Sequence, residues 1–158
     1  MVQVFLGLGS NVNRKENIRL ALNALEEKFG SLQRASFYES NAIDQKGESY
    51  YNTAVGLETD IPLNEFVEAI KGIEINQGRD RSKPELVPID IDLLLFGGIV
   101  SLTEKQKIPH PDILAYTHVL IPLAEIAGDF THPITGEAIK KMCGSNLDRA
   151  DLNKIERL

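Results

Sequence analysis

The 158-residue chain has a single cysteine, Cys143, and no tryptophan. One thiol excludes an intramolecular disulfide and a cysteine-based zinc centre, and it suits a reducing compartment, so a cytoplasmic location is expected. Long apolar runs are missing as well: no stretch approaches the roughly 18 residues needed to span a bilayer, so no membrane partner is expected. Residues 1–7 lack the basic segment and long apolar core of a secretory leader. Basic excess is absent. Seventeen Lys and Arg face 23 Asp and Glu, for a net charge of −6, which argues against a nucleic-acid partner. No repeat, low-complexity tract or linker interrupts residues 1–158, which read as one domain, expected to be monomeric.

What remains is ordinary globular composition, 42% hydrophobic and 25% charged, with clear periodicities. Residues 2–8 are apolar and bounded by glycine, the pattern of a buried strand, which Gly9-Ser10-Asn11 should end. Ile18, Leu22, Leu25 and Phe29 fall on one face of a helix expected over residues 14–29, with Gly30 placed to stop it. Strands are expected at 33–38 and 51–57, with a polar loop at 39–49. A second helix should open at Pro62 and turn Phe66, Ile70 and Ile73 inward. A basic loop, Arg79-Asp80-Arg81-Ser82-Lys83, leads to one more strand. The order strand, helix, strand, strand, helix, strand is that of a ferredoxin-like α+β sandwich. The last third reads as mainly helical, clearest at 121–126 and 137–142.

That final strand carries Asp90-Ile91-Asp92. Alternation puts both carboxylates on one face. Two like charges so close repel unless a cation separates them, and Mg²⁺ suits such a pair because it takes one or two carboxylates and fills its shell with water and phosphate oxygens. A solvated edge strand would show the same pair. Arg79 and Arg81 lie about ten residues upstream, and guanidinium forks match phosphate oxygens; a loop neutralising its own acids would look alike. Asn52, after Tyr50 and Tyr51, can read the edge of a planar heterocycle while a tyrosine stacks on its face; a packed tyrosine and a turn asparagine are the plain alternative. In Ile108-Pro109-His110-Pro111-Asp112 two prolines stiffen the chain around His110, a candidate phosphate donor or a surface turn residue. His118 and His132 share no ligand spacing with it, which argues against a histidine metal cluster. Residues 39–49 and 79–87, polar and without an apolar face, are the segments expected to close over substrate.

Taken in order, Phe5-Leu6-Gly7-Leu8-Gly9-Ser10-Asn11, Ser36-Phe37-Tyr38-Glu39-Ser40, Tyr51-Asn52-Thr53-Ala54-Val55, Gln77-Gly78-Arg79, Ile89-Asp90-Ile91-Asp92-Leu93-Leu94-Leu95-Phe96-Gly97, Ile108-Pro109-His110-Pro111 and Leu120-Ile121-Pro122-Leu123-Ala124-Glu125-Ile126 resemble the 6-hydroxymethyl-7,8-dihydropterin pyrophosphokinases. The resemblance implies a folate-pathway transferase that moves pyrophosphate from ATP to a pterin alcohol and releases AMP. By position it implies that Asp90 and Asp92 hold two Mg²⁺ ions. It implies a pterin site at Ser40, Ile43, Tyr50, Asn52 and His118. It implies ATP contacts at Glu74, Arg79, Arg81, Lys83, His110 and Tyr116, with Arg79 and Arg81 balancing charge in the transfer. The chain also departs from the family. Glu85-Leu86-Val87-Pro88 stands where the family shows Gly-Pro-Arg-Thr, so an arginine expected on the phosphates is missing. Tyr116 and His118 replace an arginine and a phenylalanine, and Lys71 stands where some members have glutamine. Those losses leave open a paralogue acting on another pterin alcohol, or a pterin- or nucleotide-binding module without chemistry.

Overall fold

In the computed structural model, which describes residues 1–41, 48–144 and, as backbone only, 152–155, the apolar start of the chain is the central strand β1 (Val2–Ser10). It runs two residues past Leu8, through Gly9 and Ser10, because both of its edges are occupied there: Gly9 is paired with Asn52 on one side and Asp90 on the other. Helix α1 (Arg14–Phe29) follows, then β2 (Gln33–Arg34), β3 (Phe37–Ser40), β4 (Tyr50–Thr59), helix α2 (Leu63–Asn76) and β5 (Asp90–Phe96).

The sheet order is β5-β1-β4-β3, with β2 also on β4 and every pairing antiparallel. Each helix therefore joins two strands that run the same way with one opposed strand between them. Those two interleaved split βαβ units are the ferredoxin-like α+β fold expected from the element order. Ile18, Ala21, Leu22 and Leu25 of α1 and Phe66, Ile70 and Ile73 of α2 bury against one face of the sheet. Ile18 is fully enclosed, so Ile18→Val is expected to lower stability by about 0.5–1.5 kcal/mol, read as a urea midpoint shift at unchanged m-value.

Two irregularities re-aim side chains. The strand expected at 33–38 is broken at Ala35 and Ser36, whose carbonyls accept the Thr53 hydroxyl at 3.2 and 3.1 Å. The register slips by one residue between Arg34↔Val55 and Tyr38↔Asn52, so Tyr38 and Ser40 are turned inward and lie buried. In β5 the register slips between Leu93 and Leu95. This bulge sends Leu94 and Leu95 together to the face opposite the two long helices, while Leu93 and Phe96 stay beneath them.

The opposite face is covered by α3 (Asp112–Ala115), α4 (Thr117–Ala127) and α5 (Ile139–Met142), reached through a small hairpin, β6 (Ser101–Leu102) with β7 (Lys107–Ile108). Helix α4 starts four residues before the expected 121, so Pro122 lies inside it and removes the bond to the His118 carbonyl. The last third is not wholly helical: β8 (Leu152–Ile155) adds to the free edge of β3. Among the described residues no helix is long and apolar enough to cross a membrane.

Candidate active site

Asp90 and Asp92 open β5 on the same face and remain partly exposed, while Ile91 and Leu93 between and after them are buried. Asp92 stands where two cavities meet, and Asp90 lines the larger of them. The larger, about 570 Å³, is floored by Gly7 and Gly9 of β1 and walled by Ser40, Tyr50 and Asn52 on one side and by Asp112 and His118 on the other. The smaller, about 400 Å³, lies between α2 and the β6–β7 hairpin and carries Lys71, Lys105, Lys107 and His110. Asp92 lines both.

In the larger cavity the strand register sets the polar groups. Asn52, buried, donates through Nδ2 to Ser40 Oγ at 2.7 Å, which leaves its Oδ1 and second N–H for a ligand. A side chain on Gly9 would bring a Cβ within 3.3 Å of that Oδ1, so glycine here keeps the amide edge open. Across the cavity, Tyr116 and His118 stack at 5.2 Å between ring centroids, 28° apart. Burial pushes the His118 ring below its usual pKa, against the charge of Asp112. Ile43 lies outside the described residues.

Around the acids, one guanidinium is held tightly. Arg79 Nη1 donates to the Ile89 carbonyl at 3.2 Å and reaches Asp90 Oδ1 at 3.4 Å and Glu74 Oε2 at 4.0 Å, with only 12% of its side chain exposed. Glu74, buried, accepts the Ile91 amide at 2.9 Å. It ties α2 to the strand that bears the acids. Burial pushes the Glu74 carboxyl up, opposed by the Ile91 amide. Arg81 and Lys83 are exposed on the same loop and form no ion pair among those described. Tyr116 belongs to the His118 stack beside the larger cavity and does not line the smaller one.

Asp92 is pushed up to about 8, first by burial and then by the charges of Asp90, Asp112 and Glu74. Arg79 offsets Asp90 and Glu74, but among the described residues no Lys or Arg pairs with Asp92 or Asp112, and the donor set at the strand is oxygen alone, which suits a hard divalent ion. His110 is fixed beside them: its amide donates to the Leu94 carbonyl at 2.9 Å, after a cis Ile108–Pro109 peptide. Its Nδ1 accepts the Asp112 amide at 3.1 Å, and its Nε2 lies 3.9 Å from Asp92 Oδ1. Burial keeps the ring's pKa low, so the neutral tautomer carries its proton on Nε2. Oxygens of Asp92 and Asp112 and a ring nitrogen of His110 fall within 4.8 Å of one another. With Nδ1 occupied by the Asp112 amide, Nε2 is the ring nitrogen left to meet a ligand.

Sequence reading missed Asp112 as part of the site. Its signal was present, since it follows His110 by two residues in a proline-stiffened turn. The hairpin lysines, Lys105 and Lys107, gave no local signal.

Residues 5–128 match the family described as 7,8-dihydro-6-hydroxymethylpterin-pyrophosphokinase (HPPK). The 2-amino-4-hydroxy-6-hydroxymethyldihydropteridine pyrophosphokinase of Aquifex aeolicus is 34% identical over 150 residues, 92% of this chain and 93% of its own length. The Haemophilus influenzae protein of that name is 30% identical over 138 residues, 84% of this chain and 86% of its own. The folic acid synthesis protein FOL1 of Dictyostelium discoideum is 34% identical over 135 residues, and this chain spans only 20% of that longer protein. The Plasmodium falciparum HPPK-DHPS structure with SDX-DHP has the same fold, with a TM-score of 0.73 at 13% identity over 99% of this chain and 48% of its own. With the family pattern met from residue 5 to residue 128 and two bacterial relatives covering more than four-fifths of it, the chain belongs to the HPPK family.

Proposed function

We infer that the chain transfers pyrophosphate from ATP to the alcohol of 6-hydroxymethyl-7,8-dihydropterin, releasing AMP. The observation that carries this reading is the single meeting point of two unlike cavities at Asp92. The larger offers an asparagine edge and flat aromatic rings, which suit a pterin. The smaller offers lysines and an Nε2–H donor, which suit a polyphosphate. Asp90 and Asp92 are the groups that would hold Mg²⁺, two ions in this reading. Bound there, the metal would polarise phosphate oxygens and make the substrate hydroxyl easier to deprotonate.

The protein's own contribution is placement and charge. Asn52 and Ser40 fix the heterocycle so that its hydroxymethyl oxygen faces the β-phosphorus. That oxygen attacks in line: its bond to the β-phosphorus forms as the bond from that phosphorus to the bridging oxygen of AMP breaks, AMP leaves with the electron pair, and the hydroxyl proton passes to solvent. Arg79, already turned toward Asp90, balances charge on the phosphates, and His110 Nε2–H donates a hydrogen bond to them. Arg81 and Lys83 are free to swing in from the exposed loop.

The test is AMP release from ATP, Mg²⁺ and 6-hydroxymethyl-7,8-dihydropterin, with Asp90→Ala as control. Wild type alone should produce AMP. No AMP from folded wild type would refute the reading. The stacked Tyr116–His118 pair favours a second reading, another pterin alcohol as substrate, and a panel of 6-substituted pterins separates the two.

A further inference from the structure

We propose that Arg14 is a positioning residue for the larger cavity: it locks together the two strand ends that present Ser40 and Tyr50. This rests on the pterin assignment above only for its kinetic arm. Arg14 is the first residue of α1, where a cation opposes the positive end of the helix dipole. Its placement therefore does not serve the helix. Its Nη1 donates to Glu39 Oε2 at 2.7 Å, to Ser49 Oγ at 2.6 Å and to the Ser49 carbonyl at 3.3 Å. Ser49 Oγ donates in turn to the same Glu39 oxygen at 3.0 Å. The guanidinium carbon lies 3.8 Å from the centre of the Tyr51 ring.

Glu39 and Ser49 are the neighbours of Ser40 and Tyr50, which pair across β3 and β4 at the cavity wall. One side chain thus bridges the close of β3 and the opening of β4 from outside the sheet. Glu39 answers it: the Arg14 guanidinium and the Ser49 hydroxyl hold its carboxyl below the usual range. The pair is only partly exposed, 27% and 34%, so it is screened less than a surface ion pair. Three residues earlier on the same turn, Asn11 lines the cavity itself and binds Glu85, another lining residue, and Val87. The turn between β1 and α1 therefore holds two separate stretches of the cavity lining.

The experiment compares wild type, Arg14→Ala, Arg14→Lys and Glu39→Gln in the full chain. Amide exchange is measured at residues 39–41 and 49–51, and KM is measured separately for pterin and ATP. Arg14→Ala should speed exchange at those amides about tenfold and raise the pterin KM about tenfold, with kcat and the ATP KM within about threefold. Arg14→Lys, which keeps the charge but loses the flat guanidinium that lies on the Tyr51 ring, should recover part of both effects. Glu39→Gln should act in the same direction and guards against a misfolded alanine variant. Unchanged exchange in Arg14→Ala and Glu39→Gln overturns the proposal. Equal rises in both KM values overturn it too, since they would mean a general loss of structure. If wild type shows no turnover, the exchange arm decides the proposal alone, and only the pterin assignment falls.

Discussion

Asp92→Asn should abolish turnover while making the metal-free protein more stable. The loss of rate is expected to be about 10³-fold or more, because the change removes a charge that acts on the phosphates in the transition state through the metal it would hold. The gain in stability follows from the same crowding. A carboxyl whose folded pKa is raised binds its proton more tightly in the folded state than in the unfolded state. Its contribution is fully present below the ordinary value of 3.8 and is lost as pH rises through about 8. Near pH 8 the wild type is therefore held back by Asp92, and asparagine relieves it. The ceiling set by a rise from 3.8 to about 8 is roughly 6 kcal/mol. With 34% of the side chain exposed, solvent screening leaves about 1–2 kcal/mol. Urea unfolding at pH 5 and pH 8 without Mg²⁺ measures it, and the advantage should grow with pH. Addition of Mg²⁺ and nucleotide should stabilise wild type and leave the variant unmoved. Near-normal rates in Asp92→Asn would remove the metal assignment, and a variant less stable than wild type at pH 8 would remove the electrostatic account.

The same residue shows what the sequence makes legible. Alternation alone put Asp90 and Asp92 on one face, and helical spacing alone found the buried faces of α1 and α2, because those signals are local and repeat. The breaks went wrong where pairing overrides local preference. Gly9 and Ser10 read as a strand end, yet β4 and β5 hold them from both sides. The bulges at residues 35–36 and at Leu94 could not be read from alternation, since each depends on the register of a strand far away in sequence. The resemblance named a pterin side and a nucleotide side. It did not show Asp112 or Arg14 at work, because each acts through a partner 20 or more residues distant: Asp112 on Asp92, and Arg14 on Glu39 and Ser49.

Val87→Arg, which supplies the arginine that the resemblance leads one to expect there, should damage the protein rather than repair it. The position looks in sequence like a simple loss of a phosphate ligand. In the structure Val87 is buried, 4% exposed, and both its amide and its carbonyl are tied to Asn11, in the turn after β1. Its amide donates to Asn11 Oδ1 at 2.7 Å, and its carbonyl accepts the Asn11 amide at 3.0 Å. Asn11 Nδ2 also donates to the Glu85 carbonyl at 2.8 Å. A guanidinium placed there either enters the core without a partner or pulls the segment off Asn11. The first costs several kcal/mol of desolvation, and the second forfeits the clamp's hydrogen bonds at about 1 kcal/mol each. Either route predicts a loss of about 3 kcal/mol in urea unfolding and no rise in the rate of AMP release. Asn11→Ala should lose less stability and let the same arginine be tolerated better, so the two changes should be non-additive. A stable Val87→Arg protein with AMP release at least about tenfold faster would mean that residues 85–87 leave Asn11 readily and that the missing arginine limits the rate. On the present geometry residues 85–87 form a fixed wall held by Asn11, and under the proposed function the phosphates would be met instead by Arg79 and by the lysines of the smaller cavity.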